Sequence, residues 1–240
     1  MMGIIVALGG GEIGRPGYPV ETSEIDLYIK KLSGKDCPKL CFIPTASEDS
    51  DVYIKTVHEH FSGRIGCLVS VIELINKKYS RAELEETIYG SDIIYVGGGN
   101  TKNMLKIWKK HSLDKILKEA LQKNIILSGI SAGAICWFRF GSSDSLRSTD
   151  PNQPLIMLKC MNLVNYIACP HFNEGDRRET FRDMVRHAGV PGIGLDNCAA
   201  VRIMDDEMEI ITSQDNAHVR RCLWEDGKYT ETELKGKIKI

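Results

Sequence analysis

A chain of 240 residues, 42% hydrophobic and 26% charged, is long enough to bury a sizeable core and has the composition of a soluble globular protein. Its formal net charge of −1 gives no electrostatic reason to expect nucleic acid or an anionic membrane as a partner. No apolar run approaches the ~20 residues that span a bilayer, and the start of the chain lacks a basic leader.

In chain order, apolar and β-branched runs at residues 3–8, 39–44, 67–74, 92–96 and 125–130 predict strands. Helical patterns at 21–32, 51–61, 81–89, 103–110 and 113–122 fill the gaps between them. Alternation of this kind argues an α/β fold, and the nearly continuous apolar strands ask for a mostly parallel sheet flanked by helices on both faces. A further strand is expected at 162–169 and a helix at 176–188. Beyond Ile193 the runs 200–204, 208–212 and 219–224 are short, alternating and separated by turn residues, which suggests C-terminal antiparallel hairpins. No repeat or linker interrupts the pattern, so residues 1–240 read as a single α/β domain. The eight cysteines show no Cys-x-x-Cys and read as buried free thiols in a reducing cytoplasm.

The first motif is Gly9-Gly10-Gly11-Glu12-Ile13-Gly14, a literal match to the dinucleotide fingerprint. A Rossmann oxidoreductase needs a helix to start there, whereas Arg15-Pro16-Gly17-Tyr18-Pro19 breaks one. No acidic residue closes the second strand either, so no dinucleotide or other cofactor is expected.

Val96-Gly97-Gly98-Gly99-Asn100-Thr101 follows a buried strand. Three glycines let bare backbone N–H groups approach a ligand, and Asn100 or Thr101 can cap the next helix. The same residues would also serve an ordinary tight turn.

Gly129-Ile130-Ser131-Ala132-Gly133 carries the most chemistry. A β-prone run leads into it and the helix formers Ala134-Ile135-Cys136-Trp137-Phe138 follow, the pattern of a nucleophile elbow. A strand that turns sharply into a helix strains its corner residue, and its neighbours must be small. The Ser131 hydroxyl is thereby exposed, with the next backbone N–H facing any oxyanion formed there.

A serine nucleophile needs a base, most often histidine. Of six histidines, His58, His60 and His111 lie on charged helical stretches and read as solvated, His187 sits near a helix end, and His218 follows a polar turn. Only His171, in Cys169-Pro170-His171-Phe172-Asn173, sits at the end of a strand. A carboxylate should orient it, and Asp144 and Asp150 lie between the two. Asp150-Pro151-Asn152 has turn chemistry that explains itself, so Asp144 is preferred.

The early strand, Phe42-Ile43-Pro44-Thr45-Ala46, the Gly-Gly-Gly-Asn-Thr and Ser-Ala-Gly-Ala motifs, Asp144 and Pro170-His171-Phe172 together resemble the peptidase E family of aspartyl dipeptidases. That family is related to cyanophycinase and shares its elbow with the class I glutamine amidotransferase-like (flavodoxin-like) fold. The resemblance implies Ser131 as nucleophile, His171 as base, Asp144 as orienting acid, and the N–H groups of Gly99 and Ala132 as oxyanion hole. It implies a small peptide substrate, a dipeptide with an N-terminal aspartate, bound with help from Asn100 and gripped by Arg178 in the helix after the histidine. The sequence leaves a homodimer open.

Competing readings fare less well. An α/β-hydrolase esterase places its acid further on, and a cysteine amidotransferase would need cysteine at the elbow. A metal site is disfavoured because His58 and His60 would point to different helix faces with no third ligand. A cyanophycinase-like hydrolase of β-Asp-Arg links and a catalytically silent binding protein of the same fold remain as alternatives.

Overall fold

The structure, a computed structural model, describes residues 3–239. In chain order these form β1 (Ile5–Leu8), α1 (Ser23–Leu32), β2 (Lys39–Ile43), α2 (Asp51–Val57), β3 (Leu68–Val71), α3 (Arg81–Tyr89), β4 (Ile93–Val96), α4 (Thr101–His111), α5 (Leu113–Gln122) and β5 (Ile126–Ile130). The chain continues through α6 (Ala132–Ile135), β6 (Phe138–Ser143), β7 (Ile156–Lys159), β8 (Val164–Cys169), α7 (Arg177–Ala188) and β9 (Gly192–Leu195). It ends in β10 (Ala199–Met204), β11 (Glu207–Thr212), β12 (Val219–Glu225), β13 (Lys228–Leu234) and β14 (Lys237–Lys239).

The strands build two mixed sheets. The first has eight strands in the order β14-β11-β10-β1-β5-β4-β2-β3, and the second has six in the order β13-β12-β9-β8-β6-β7. In the first, β1, β5, β4, β2 and β3 run parallel, and β10, β11 and β14 add antiparallel strands at one side. This is the expected α/β sheet with its C-terminal antiparallel strands. In the second, β6, β8 and β9 run parallel while β7, β12 and β13 close the flanks antiparallel.

The central strands of the first sheet are buried on both faces, so their alternate side chains feed two cores. Val6, Leu8, Leu40, Phe42, Ile93 and Tyr95 pack against Ile25 and Ile29 of α1 and Val57 of α2. Ala7, Cys41, Ile43, Ile94, Val96 and Leu127 face the other way, onto α3, α4, α5 and the inner face of the second sheet. Helix α7 covers the outer face of that sheet, laying Phe181, Met184 and Val185 over Ile167, Cys169 and Cys222. Among the described residues no helix is long and apolar enough to cross a membrane.

Two local expectations change. The run 134–138 does not continue as helix: α6 stops after four residues at Ile135, and Phe138 begins a strand paired with Val164. Pairing in a buried sheet overrides the helical preference of this short stretch. His60 is not solvated. The segment His58–Ile65 winds as a π-helix, and the shifted register turns the fully buried His60 toward Asp26, with Nε2 2.8 Å from Oδ2.

Candidate active site

Ser131 stands between β5 and α6 at φ 54° and ψ −109°, a backbone conformation that L-residues adopt only under constraint. The constraint is visible in its neighbours. A Cβ on Gly129 would lie 2.4 Å from the Gly133 carbonyl oxygen, and one on Gly133 would lie 2.1 Å from that of Val96. The elbow closes only with glycine at both places. The Ser131 N–H donates to Leu8 O at 3.0 Å, which ties the corner to β1.

His171 follows β8, on the second sheet. Its N–H donates to Gly9 O at 3.1 Å, and its Nε2 lies 2.8 Å from Ser131 Oγ. The nucleophile and base expected from sequence therefore meet, one from each sheet. Burial and the nearby Arg177 guanidinium hold the His171 pKa below the usual imidazole range, opposed by the Asn197 hydrogen bond and the charges of Glu174 and Asp144.

The group on the far side of the imidazole differs from expectation. His171 Nδ1 lies 2.6 Å from Asn197 Oδ1, so the place foreseen for Asp144 is taken by an amide. Asp144 accepts from Arg177 Nη2 at 2.5 Å through Oδ2 instead, because Arg177 at the start of α7 is itself buried and needs a counter-charge. Asp150 folds back on its own turn, accepting from Asn152 N and Gln153 Nε2. Asn197 comes from the loop after β9, and nothing in its residue type advertises it.

Gly99 adopts φ 136° and packs on Ala46, where a Cβ would meet the carbonyl oxygen at 2.1 Å. Gly98 faces the nucleophile, and a Cβ there would come within 3.5 Å of Ser131 Cβ. Asn100 caps α4 by accepting from Asn103 N at 3.0 Å. Its Nδ2 donates to Ser145 O and Ser148 Oγ, so the Asn100 amide is committed to holding the loop that carries Asp144. Ala132 opens α6, where a first-turn N–H has no acceptor within the helix. Arg178, expected to grip a substrate, points outward: it pairs with Glu231 and lies over the Phe172 ring.

Two cavities meet at Ser131. One, about 560 Å³, is lined by His171, Gly98, Tyr53, Ile13, Glu12 and Arg15 among others. The other, about 720 Å³, is lined by Gly99, Asn100, Glu48, Asp144, Arg147 and Ser148 among others. His171 lines the first of them.

The profile of Peptidase family S51 matches residues 5–211. "Uncharacterized peptidase YgaJ" of Bacillus subtilis (strain 168) is 34% identical over 238 residues, 97% of each chain. "Probable alpha-aspartyl dipeptidase" of Drosophila melanogaster is 26% identical over 179 residues, 69% of each chain. Among solved structures, a peptidase from an acI-B1 actinobacterium superposes with a TM-score of 0.75 at 19% identity, covering 100% of this chain and 98% of its own.

Proposed function

The chain belongs to peptidase family S51 and is a serine peptidase, and on that premise we propose that it cleaves small peptides through an acyl-enzyme on Ser131. The observation that carries this reading is the 2.8 Å contact between Ser131 Oγ and His171 Nε2 at a strained elbow. His171 takes the hydroxyl proton as Ser131 attacks the carbonyl carbon. The N–H groups of Gly99 and Ala132 receive the tetrahedral oxyanion. His171 then passes the proton to the leaving amine, and a water activated by the same imidazole releases the acyl group. A depressed imidazole pKa favours this, since the base must be neutral to accept a proton.

The substrate reading is a dipeptide with an N-terminal aspartate. An α-aspartyl residue carries one ammonium and one carboxylate close together. With the leaving amine taking its proton from His171 and departing through the cavity that His171 lines, the acyl side falls in the other, which offers both complements: Glu48 and Asp144 for the first, Arg147 for the second. Arg147 commits Nη2 to Asp176 and Nε to the Gln153 carbonyl, so a substrate carboxylate would join an existing fork. The name of the Drosophila relative points to the same substrate class.

The test is hydrolysis of an Asp-x dipeptide panel by the wild type and Ser131→Ala, with neutral and β-linked Asp-Arg dipeptides as controls. Asp-x is expected to be cleaved preferentially and the mutant to lose about 10³-fold or more in kcat. Undiminished turnover by Ser131→Ala would remove the acyl-enzyme. Cleavage confined to the β-linked peptide would move the substrate to that isomer.

A further inference from the structure

Behind His171 lies a second carboxylate that the sequence motifs did not single out. Asn197 Nδ2 donates to Glu174 Oε1 at 2.5 Å, while Asn197 Oδ1 meets His171 Nδ1 at 2.6 Å. Glu174 Oε2 itself stands 4.0 Å from the same ring nitrogen. The Glu174 N–H donates to His171 O at 2.9 Å, and Asn173 Oδ1 accepts the Asn197 N–H at 3.0 Å. Three residues of one turn, His171, Asn173 and Glu174, and Asn197 of a neighbouring loop are thus tied into a single unit.

We infer that Glu174 is a positioning residue for the hydrolysis, acting through the Asn197 amide to fix His171 in the one tautomer that can accept the Ser131 proton. This rests on the reading of His171 as the base.

An ionised carboxylate can only accept, so the amide edge facing Glu174 must be the NH₂. The edge facing His171 is then the carbonyl oxygen, which also only accepts. Nδ1 must therefore carry the ring hydrogen, and Nε2 is left with a lone pair toward Ser131 Oγ. Without the carboxylate nothing distinguishes the two ends of the amide. A flipped Asn197 would donate to Nδ1, put the hydrogen on Nε2, and leave Ser131 facing a donor. An Asp or Glu in direct contact with a histidine has no such ambiguity; an asparagine does, and requires a third group to resolve it. Glu174 also places a negative charge where the imidazolium formed during catalysis can feel it.

The site has also been fitted around this bond. Gly10 lies directly beneath it: a Cβ there would stand 2.1 Å from Asn197 Oδ1 and 2.4 Å from His171 Nδ1. The glycine run that imitates a dinucleotide fingerprint thereby has a structural purpose of its own.

The experiment compares the full-length wild type with Glu174→Gln and the double variant Asn197→Asp/Glu174→Gln. Long-range ¹⁵N–¹H NMR reads the His171 tautomer, assigned against His171→Gln. The wild type is expected to carry its hydrogen on Nδ1. Glu174→Gln, whose amide can present either end to Asn197, should populate the Nε2–H form. Its kcat on the dipeptide should fall about tenfold to a hundredfold, with KM little changed. Losing a negative charge near the ring should also move the acid limb of kcat/KM to lower pH, since the Glu174 charge raises the His171 pKa. The double variant puts a carboxylate directly on Nδ1 and should recover the Nδ1–H form and most of kcat.

A Glu174→Gln protein with wild-type kcat overturns the proposal, as does one that loses kcat with its tautomer unchanged. The NMR measurement needs no substrate, so it still decides the matter if Ser131→Ala shows the acyl-enzyme reading to be wrong. Glu174 is more than half exposed, and equal melting temperatures confirm that its replacement leaves the fold intact.

Discussion

The atoms nearest to a methyl group on Gly10 would all be side-chain atoms, Asn197 Oδ1 and the Nδ1 and Cε1 of His171. Side-chain ends can swing aside at small cost to the fold, but these two cannot move without losing the bond that holds the imidazole. Gly10→Ala is therefore expected to lower kcat by about tenfold or more while shifting stability by no more than about 1 kcal/mol. Steady-state kinetics beside thermal melting checks it, and a large drop in melting temperature would contradict it. At this scale the sequence is legible where residue type dictates chemistry. Ser131 stands out by its glycine flanks and His171 by its strand end, and the structure brings their side chains together. Asn197 and Glu174 do not stand out, because an amide 26 residues from its histidine and an exposed glutamate carry no signal until folding places them. Arg177 and Arg178 show the same limit. Adjacent on one helix, they face opposite environments: one is buried against Asp144 and the other pairs with Glu231 at the surface.

At the scale of elements, the elbow makes the opposite trade. Gly133 lies against backbone, with the Val96 carbonyl oxygen 2.1 Å from where a Cβ would be, so neither side can yield without moving β4 or α6. Gly133→Ala should destabilise the protein by about 2 kcal/mol or more, in the range of core overpacking, and lose activity along with it. Denaturant titration measures the first. Activity lost at unchanged stability would place Gly133 in the site rather than the scaffold. The elements around this corner were readable from β1 to β5 because each buried strand is followed by an amphipathic helix, and the period changes cleanly between them. The stretch after Ser131 was not. Its four-residue helix is too short to show a period, and only two residues separate its end from β6. The strands β7 and β9 are four residues each, at the edge of what alternation can reveal, so the second sheet shows only when it is assembled.

At the scale of the whole molecule, the proposed site depends on how two sheets are joined, since Ser131 follows a strand of the first while His171 and Asn197 follow strands of the second. The joint is backbone as well as core. His171 N donates to Gly9 O at 3.1 Å, tying the loop after β8 to the loop after β1, and Cys198 N, on the segment that connects β9 to β10, donates to Gly10 O at 2.9 Å. The C-terminal residues fasten the opposite margins: β13 pairs with β12 in the second sheet, and three residues later β14 pairs with β11 in the first. One short segment thus bridges both sheets, with Leu234 buried and Glu231 holding Arg178 on α7. A chain ending at Glu225 would lose an outer strand from each sheet and expose two unpaired edges. It is expected to melt lower by about 2–4 °C for each kcal/mol lost, and to associate on gel filtration. Because the site straddles the sheets, kcat should fall in the same variant even well below its melting temperature. Full turnover at low temperature from such a shortened, less stable chain would mean that the loops around Gly9 and Cys198 alone keep the two halves in register.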